Sequence, residues 1–143
     1  MPGPSGLVLR LEELPQFVRF AIVGGLGFFT DVAVLMLLMQ GFGVGPYQGR
    51  VLSYLSGATA TWWLNRNFTF VSRGSAHRVR EWLLFVSCSA LAGLLNYAAY
   101  ALFVFLFGGR PSSAIIGVGL GACAGLWVNY TLSSRVVFRQ SGG

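Results

Sequence analysis

The chain consists of four long apolar segments separated by short breaks. Glycine- and proline-rich stretches at 41–46 and 108–111 are typical of tight turns, and a polar, arginine-rich loop at 65–80 separates the middle segments. An α-helix needs about 20 mostly apolar residues to cross a bilayer. The pattern therefore predicts an all-α fold of four transmembrane helices, at 17–39, 47–64, 82–107 and 112–132.

These helices are expected to form one domain, residues 17–138. A short cytoplasmic segment, 1–16, precedes the domain, and a tail, 139–143, follows it. Glu12 and Glu13 come before the first apolar segment. Since a signal peptide begins with positive charge and ends at a small-residue cleavage site, the first helix is expected to be retained.

The composition separates this chain from soluble proteins. Of its 143 residues, 55% are hydrophobic and only 10% are charged, whereas a soluble domain has about 25% charged residues. A net charge of +6 would suggest nucleic-acid binding in a soluble protein. In an integral membrane protein, flanking arginines orient the helices and meet anionic lipid, so we expect membrane lipid and no nucleic acid as a partner.

The arginines also predict the orientation of the helices. Positive residues collect on the cytoplasmic side of a membrane protein, and one predicted side holds Arg10, Arg19, Arg66, Arg73, Arg78, Arg80, Arg135 and Arg139. The other side holds only Arg50 and Arg110. Both termini are therefore expected in the cytoplasm.

The two halves of the chain are similar to each other. An offset of 65 residues places Asp31 on Asn96, and an offset of 68 places residues 64–70 on residues 132–138. Each half holds two predicted helices, so both halves enter the membrane in the same direction. The pattern predicts two parallel two-helix repeats.

Asp31 is the only acid inside the first apolar segment. A carboxylate within a membrane is costly and marks a candidate functional site when it has a partner. Arg50, near the start of the second helix, is the nearest credible counter-ion because its side chain is long. Asn96 either extends the same polar centre or only forms a hydrogen bond between helices. Two interpretations stay open. Asp31 belongs to a site for a substrate head group or a coupled proton, or it is structural, either in an ion pair with Arg50 or protonated and bonded to a neighbouring hydroxyl.

A second candidate site lies at the predicted cytoplasmic edge and comprises Arg19, Asn65, Arg66 and Arg135. Arginine binds phosphate through two parallel hydrogen bonds, and the phosphate here would be that of a lipid carrier. Topology alone also requires cytoplasmic arginines, so a purely orienting role stays open for each of them.

The fourth helix carries a ridge of glycines. Gly117, Gly121 and Gly125 recur every four residues and allow close helix packing. The sequence leaves open whether the ridge packs within one chain or between two copies.

The motifs of soluble enzymes are missing from the sequence. It has no phosphate-binding loop, no zinc-ligand cluster and no nucleophile–histidine–acid set. We therefore expect no enzymatic activity, no cofactor and no metal.

The chain resembles the GtrA-like family of membrane proteins. The resemblance rests on residues 17–24 (FVRFAIVG), Asp31 in the first helix, residues 63–70 (WLNRNFTF) and residues 130–138 (YTLSSRVVF). It covers 17–138. The second half of the chain has Ser133-Ser134 followed by Arg135, where the family has an Asn-Arg pair.

The resemblance implies a multi-pass protein of the inner (cytoplasmic) membrane that works on cell-surface polysaccharide. One expectation is that it flips a polyprenyl-phosphate-linked monosaccharide between leaflets. The alternative is an accessory protein that recruits or assists a glycosyltransferase, with the glycine ridge as its docking face. Four helices are few for a closed path, which favours a homodimer.

Overall fold

A computed structural model describes residues 13–108 and 111–139, without the side chains of residues 46, 47, 111–115 and 118. Arg10 and Arg110, which the orientation argument used, lie outside the described residues, as do most of the predicted N-terminal segment and the last four residues.

The described residues form four α-helices and no strand, and this confirms the predicted all-α fold. Three of the helices end in a single π-helical turn, which we call the first, second and third π-turns. The α-helices are α1 (Gln16–Met36), α2 (Pro46–Leu64), α3 (Arg78–Phe107) and α4 (Pro111–Leu132). The π-turns are Leu37–Gly41 after α1, Asn65–Thr69 after α2 and Ser133–Val137 after α4.

The loop between α2 and α3 is shorter than the polar pattern suggested. Its first five residues form the second π-turn, in which the Thr69 hydroxyl donates a 2.7 Å hydrogen bond to Asn65 Oδ1. At the other end α3 begins at Arg78, with Glu81 in its first turn. A carboxylate is favourable at a helix N-terminus, so residues that a hydropathy pattern assigns to the loop belong to the helix.

Among the described residues, two helices have the length and composition of membrane spans. They are Gln16–Gly41, with a mean hydropathy of 2.1, and Arg78–Phe107, with 1.9. Only 11% and 6% of their most apolar stretches are buried inside the protein. The core helix of a soluble protein would be mostly buried. These helices instead expose their apolar side chains, as helices that face lipid do.

Helix α2 carries more polar residues, and it accommodates them locally. The Thr59 hydroxyl donates a 2.6 Å hydrogen bond to the carbonyl of Leu55, and the Thr61 hydroxyl donates a 2.8 Å bond to the carbonyl of Gly57. Such bonds within one helix satisfy a hydroxyl without water. The polar residues of α2 are therefore compatible with an apolar environment.

The helices pair into two hairpins, α1 with α2 and α3 with α4, and the hairpins meet at the end that holds the second and third π-turns. Four buried rings, which we call the aromatic cluster, join them there: Phe20, Phe70, Phe85 and Phe138. Phe70 and Phe138 stack with their centroids 4.6 Å apart and their planes at 15°. Phe20 lies 6.1 Å from Phe70, and Phe85 lies 6.2 Å from Phe138. The cluster thus brings matching positions of the two hairpins together.

Candidate functional site

A central cavity of about 370 Å³ lies between the two hairpins and is lined by all four helices. Phe85 of the aromatic cluster forms one of its walls. Most of its lining comes from equivalent positions of the two halves, at the offsets of 65 and 68 seen in the sequence. These pairs are Gly24 and Ser89, Gly27 and Ala92, Phe28 and Gly93, Asp31 and Asn96, Gly57 and Gly125, Ala58 and Leu126, and Thr61 and Asn129.

Asp31 and Arg50 form the ion pair that the sequence suggested. Nη1 of Arg50 lies 2.7 Å from both carboxylate oxygens of Asp31. The Asp31 side chain is 12% exposed, and the Arg50 side chain is 56% exposed. The guanidinium therefore reaches outwards while the carboxylate stays within the cavity wall. In the second hairpin the equivalent positions are Asn96 and Val118, so the charge is confined to the first hairpin.

Glycines set the position of both polar residues. A Cβ atom on Gly57 would lie 2.9 Å from the Cβ of Asp31, and one on Gly125 would lie 2.9 Å from the Cβ of Asn96. A Cβ on Gly121 would lie 2.6 Å from the carbonyl oxygen of Asn96. The backbones of each hairpin therefore approach as closely as glycine permits, and the polar side chains are held at these contacts.

The glycine ridge of α4 faces α3 inside the same chain. Besides the contacts of Gly121 and Gly125 with Asn96, a Cβ on Gly117 would lie 3.1 Å from the ring of Tyr100. The described structure thus uses the ridge for packing within a hairpin.

Tyr54 is a cavity residue that the sequence analysis did not single out. It follows Arg50 by one helical turn on α2, and it lines the cavity with Asp31. Its hydroxyl oxygen is buried and has no hydrogen-bond partner among the described residues. The only signal in the sequence is the spacing of four residues from Arg50.

Asn129 provides further polar surface on the opposite wall. Its Oδ1 accepts hydrogen bonds of 3.3 Å from the Ser89 hydroxyl and 3.5 Å from the Ser133 hydroxyl. Thr61 stands at the matching position of the first hairpin. The cavity is therefore polar on both sides, although only one side is charged.

A buried network holds the loop between the hairpins. The Glu81 side chain has no solvent exposure, and its carboxylate accepts hydrogen bonds from Trp62 Nε1 (2.9 Å), Arg66 Nη1 (2.6 Å) and the backbone N–H of Ser75. Nη2 of Arg66 also donates a 2.9 Å bond to the carbonyl of Ser75. From the sequence, Arg66 was a candidate phosphate ligand and Glu81 had no predicted role. In this structure the two form an ion pair.

The other residues of the predicted cytoplasmic edge lie on or beside the second and third π-turns. Nη1 of Arg19 donates a 2.7 Å bond to the carbonyl of Phe68. Its Nε and the Nδ2 of the buried Asn65 have no acceptor within the described part of the chain. Arg135 is exposed on the third π-turn. Arg19, Asn65 and Arg66 thus collect around one π-turn, and Arg135 lies on the other.

The chain therefore has two separate polar regions. One is the central cavity with Asp31, and the other is the arginine-rich surface around the second and third π-turns. Asp31 follows Phe20 by eleven residues on α1, which is about 16 Å along a helix. Within the described residues no three His, Cys, Asp or Glu side chains lie close enough together to hold a metal ion. The arrangement suits hydrogen bonding to a polar ligand.

Comparison with known protein families gives one result. Residues 19–138 match the family model described as "GtrA/DPMS, transmembrane domain". The match includes α2, α3 and α4, all but the first three residues of α1, the central cavity and the aromatic cluster.

Proposed function

Because the chain belongs to the GtrA/DPMS transmembrane-domain family, we propose that it flips a polyprenyl-phosphate-linked monosaccharide across the cytoplasmic membrane for cell-surface polysaccharide synthesis. The family and the apolar helices make it a membrane protein. The family indicates a role in handling lipid-linked sugars and is generally non-catalytic. The finer steps below are our proposal.

The central cavity is the observation that carries the proposal. Its volume of about 370 Å³ falls in the usual range for small-ligand pockets, about 300–1,000 Å³. Amide, hydroxyl and carboxylate groups line it, whereas large apolar side chains on the helices that enclose it are exposed. A sugar with several hydroxyl groups fits such a cavity, while the prenyl chain stays in the lipid.

The carrier phosphate would bind at the other polar region, the arginine-rich surface around the second and third π-turns. Arg19 and Asn65 have buried N–H groups there without acceptors among the described residues, and Arg135 is exposed on the third π-turn. A phosphate supplies strong acceptors for such donors. Arg66 would join them only by exchanging its contact with Glu81. Asp31, Arg50 and Asn96 would then contact the sugar after it has passed the aromatic cluster.

This scheme includes the topology proposed from the sequence. We infer that all four helices span the membrane as two parallel repeats. Both termini, together with the second and third π-turns, would then lie in the cytoplasm. Support comes from the equivalent contacts of Asp31 with Gly57 and of Asn96 with Gly125. The buried aromatic cluster would then close the cytoplasmic side of the cavity, and the two hairpins would have to separate there to admit a sugar.

A homodimer and a glycosyltransferase partner remain predictions. The cavity is built by the four helices of one chain, so the proposed site does not need a second copy. A dimer would instead enlarge the apolar surface that guides the prenyl chain.

Reconstitution tests the proposal. Liposomes with the purified protein receive a fluorescent polyprenyl-phosphate hexose, and an impermeant reductant quenches the outer leaflet. We expect protein-dependent flipping that Asp31→Asn and Arg50→Gln each slow at least tenfold. Glu13→Gln, which removes an exposed carboxylate outside the cavity, is the matched control.

The assay also separates the two roles. Wild-type protein that does not flip the lipid but co-purifies with a glycosyltransferase supports the accessory role instead. Flipping at the wild-type rate in well-folded Asp31→Asn and Arg50→Gln proteins contradicts the assignment of the sugar site.

A further inference from the structure

The buried hydroxyl group of Tyr54 is a polar feature of the cavity to which the proposed function gives no role. It has no hydrogen-bond partner among the described residues, although Tyr54 lines the cavity beside Asp31. A buried hydroxyl without a partner is unfavourable because it has lost its bonds to water. A ligand oxygen that offers it an acceptor removes this cost.

We propose that Tyr54 is a specificity-determining residue, whose hydroxyl donates to a sugar oxygen and so distinguishes glycosylated from bare prenyl phosphate. The inference rests on the proposed function, since it takes the cavity to be the sugar site. It adds a residue and a selection step that the ion pair does not provide.

The position of Tyr54 favours this role. Arg50 and Tyr54 are four residues apart on α2, so they occupy one face of the helix. Arg50 already donates hydrogen bonds through Nη1 to both carboxylate oxygens of Asp31, whereas the Tyr54 hydroxyl forms no hydrogen bond to the described residues. The carboxylate of Asp31 does not bond to the Tyr54 hydroxyl, and the hydrogen remains available to a ligand.

The asymmetry of the two halves gives the hydroxyl a directional effect. The position equivalent to Tyr54 in the second hairpin is Ala122. The two walls already differ in charge, because Asp31 of the first hairpin corresponds to Asn96 of the second, and the phenol adds a second difference. One phenol on one wall favours a single orientation. The hydroxyl oxygen is covered in this structure, so a small rotation of the side chain must accompany binding.

The substitution Tyr54→Phe tests the role because it removes one oxygen and keeps the ring. Binding of a short-chain prenyl phosphate glucose and of the same prenyl phosphate without sugar is measured on purified protein. We expect wild type to prefer the glycosylated probe, and Tyr54→Phe to bind it roughly tenfold more weakly, as loss of one hydrogen bond predicts. Affinity for the bare prenyl phosphate should stay unchanged.

Thermal unfolding separates specificity from structure. Since the hydroxyl has no partner to lose, Tyr54→Phe should unfold at the wild-type temperature or above it. Tyr97→Phe, on an exposed tyrosine of α3, is the control and should alter neither property.

Equal preference of wild type and Tyr54→Phe for the glycosylated probe overturns the proposal, as does a wild-type protein without any preference. A lower unfolding temperature of Tyr54→Phe with unchanged binding assigns the hydroxyl a structural role and also overturns it. Tyr54-dependent preference in a protein that does not flip the lipid supports Tyr54 and refutes translocation.

Discussion

Gly57 lies so close to Asp31 that a methyl group at position 57 would sit 2.9 Å from the Asp31 Cβ atom. Gly125 has the same relationship with Asn96, also at 2.9 Å. The two central polar residues of the cavity are therefore each positioned by a helix contact that only glycine allows. This shared geometry links the stability of each hairpin to the shape of the cavity.

Alanine at either glycine should destabilise the protein. Gly57→Ala and Gly125→Ala each force a methyl group into a filled space, and overpacking of this kind costs about 1–3 kcal/mol. Thermal unfolding in one detergent measures the loss.

Gly93→Ala and Gly119→Ala are matched controls, because nothing lies within 4 Å of a Cβ at these positions. The controls should be neutral or more stable by up to about 1 kcal/mol, as alanine favours helix over glycine. Equal effects at all four positions would contradict the close contacts.

The Asp31–Arg50 pair predicts an asymmetry between its two deletions. Arg50→Gln leaves the carboxylate of Asp31, which is only 12% exposed, without its partner. A mostly buried polar group left without its hydrogen-bond partner costs about 1–3 kcal/mol. Asp31→Asn leaves a guanidinium that is 56% exposed and can turn to solvent, so it should cost about 1 kcal/mol or less.

Chemical or thermal unfolding of both variants and of the double variant measures this asymmetry. The double variant should resemble Asp31→Asn, since no unpaired carboxylate remains. Arg80→Gln, on an exposed arginine of α3, is the control. Greater destabilisation by Asp31→Asn than by Arg50→Gln would show that the pair is oriented differently.

The sequence anticipated those parts of the site that follow from helix periodicity and charge. Asp31 and Arg50 stand in consecutive helices joined by a tight turn, so their pairing follows from the hairpin itself. The offset between Asp31 and Asn96 likewise anticipated two residues that face one cavity. These relationships depend on the spacing within short segments, which the sequence carries directly.

Glu81 and Tyr54 show what the sequence could not provide. Glu81 directly follows the predicted loop 65–80, whose last residues include Arg78 and Arg80, a pattern typical of a solvated surface. Its burial depends on Trp62 and Arg66, which approach only when the chain between α2 and α3 folds back. The Tyr54 hydroxyl has no partner because its described neighbours present no hydrogen-bonding group within reach. Both are tertiary properties without a local pattern.

Neutralising Glu81 should destabilise the connection between the hairpins. Glu81→Gln removes a buried charge that binds Arg66 and replaces one acceptor oxygen with a donor. That donor would face one of three existing donors, from Trp62, Arg66 and Ser75. Breaking a buried pair leaves Arg66 unpaired, and we expect a loss of about 3 kcal/mol.

Limited proteolysis of the segment 70–77, followed over temperature, measures this loss where it arises. Cleavage there should begin at a lower temperature in Glu81→Gln than in wild type. Glu13→Gln, which removes an exposed carboxylate, should leave the profile unchanged. An unchanged profile for Glu81→Gln would mean that the network does not hold this segment.

The stacked rings of Phe70 and Phe138 allow a direct test of whether the hairpins separate during flipping. Cysteines replace both rings, in a background where Cys88 and Cys123 are alanine. If the aromatic cluster closes one side of the cavity and must open, oxidation of Phe70→Cys/Phe138→Cys should abolish flipping in the liposome assay, and reduction should restore it. The control joins α1 to α2 within one hairpin through Leu35→Cys and Gly49→Cys; the Leu35 Cδ1 atom lies 3.3 Å from the place of a Cβ atom on Gly49. Because each hairpin moves as a unit in this scheme, oxidation of the control should leave the flipping rate unchanged. Continued flipping by the oxidised Phe70→Cys/Phe138→Cys protein would mean that the sugar passes without opening the aromatic cluster.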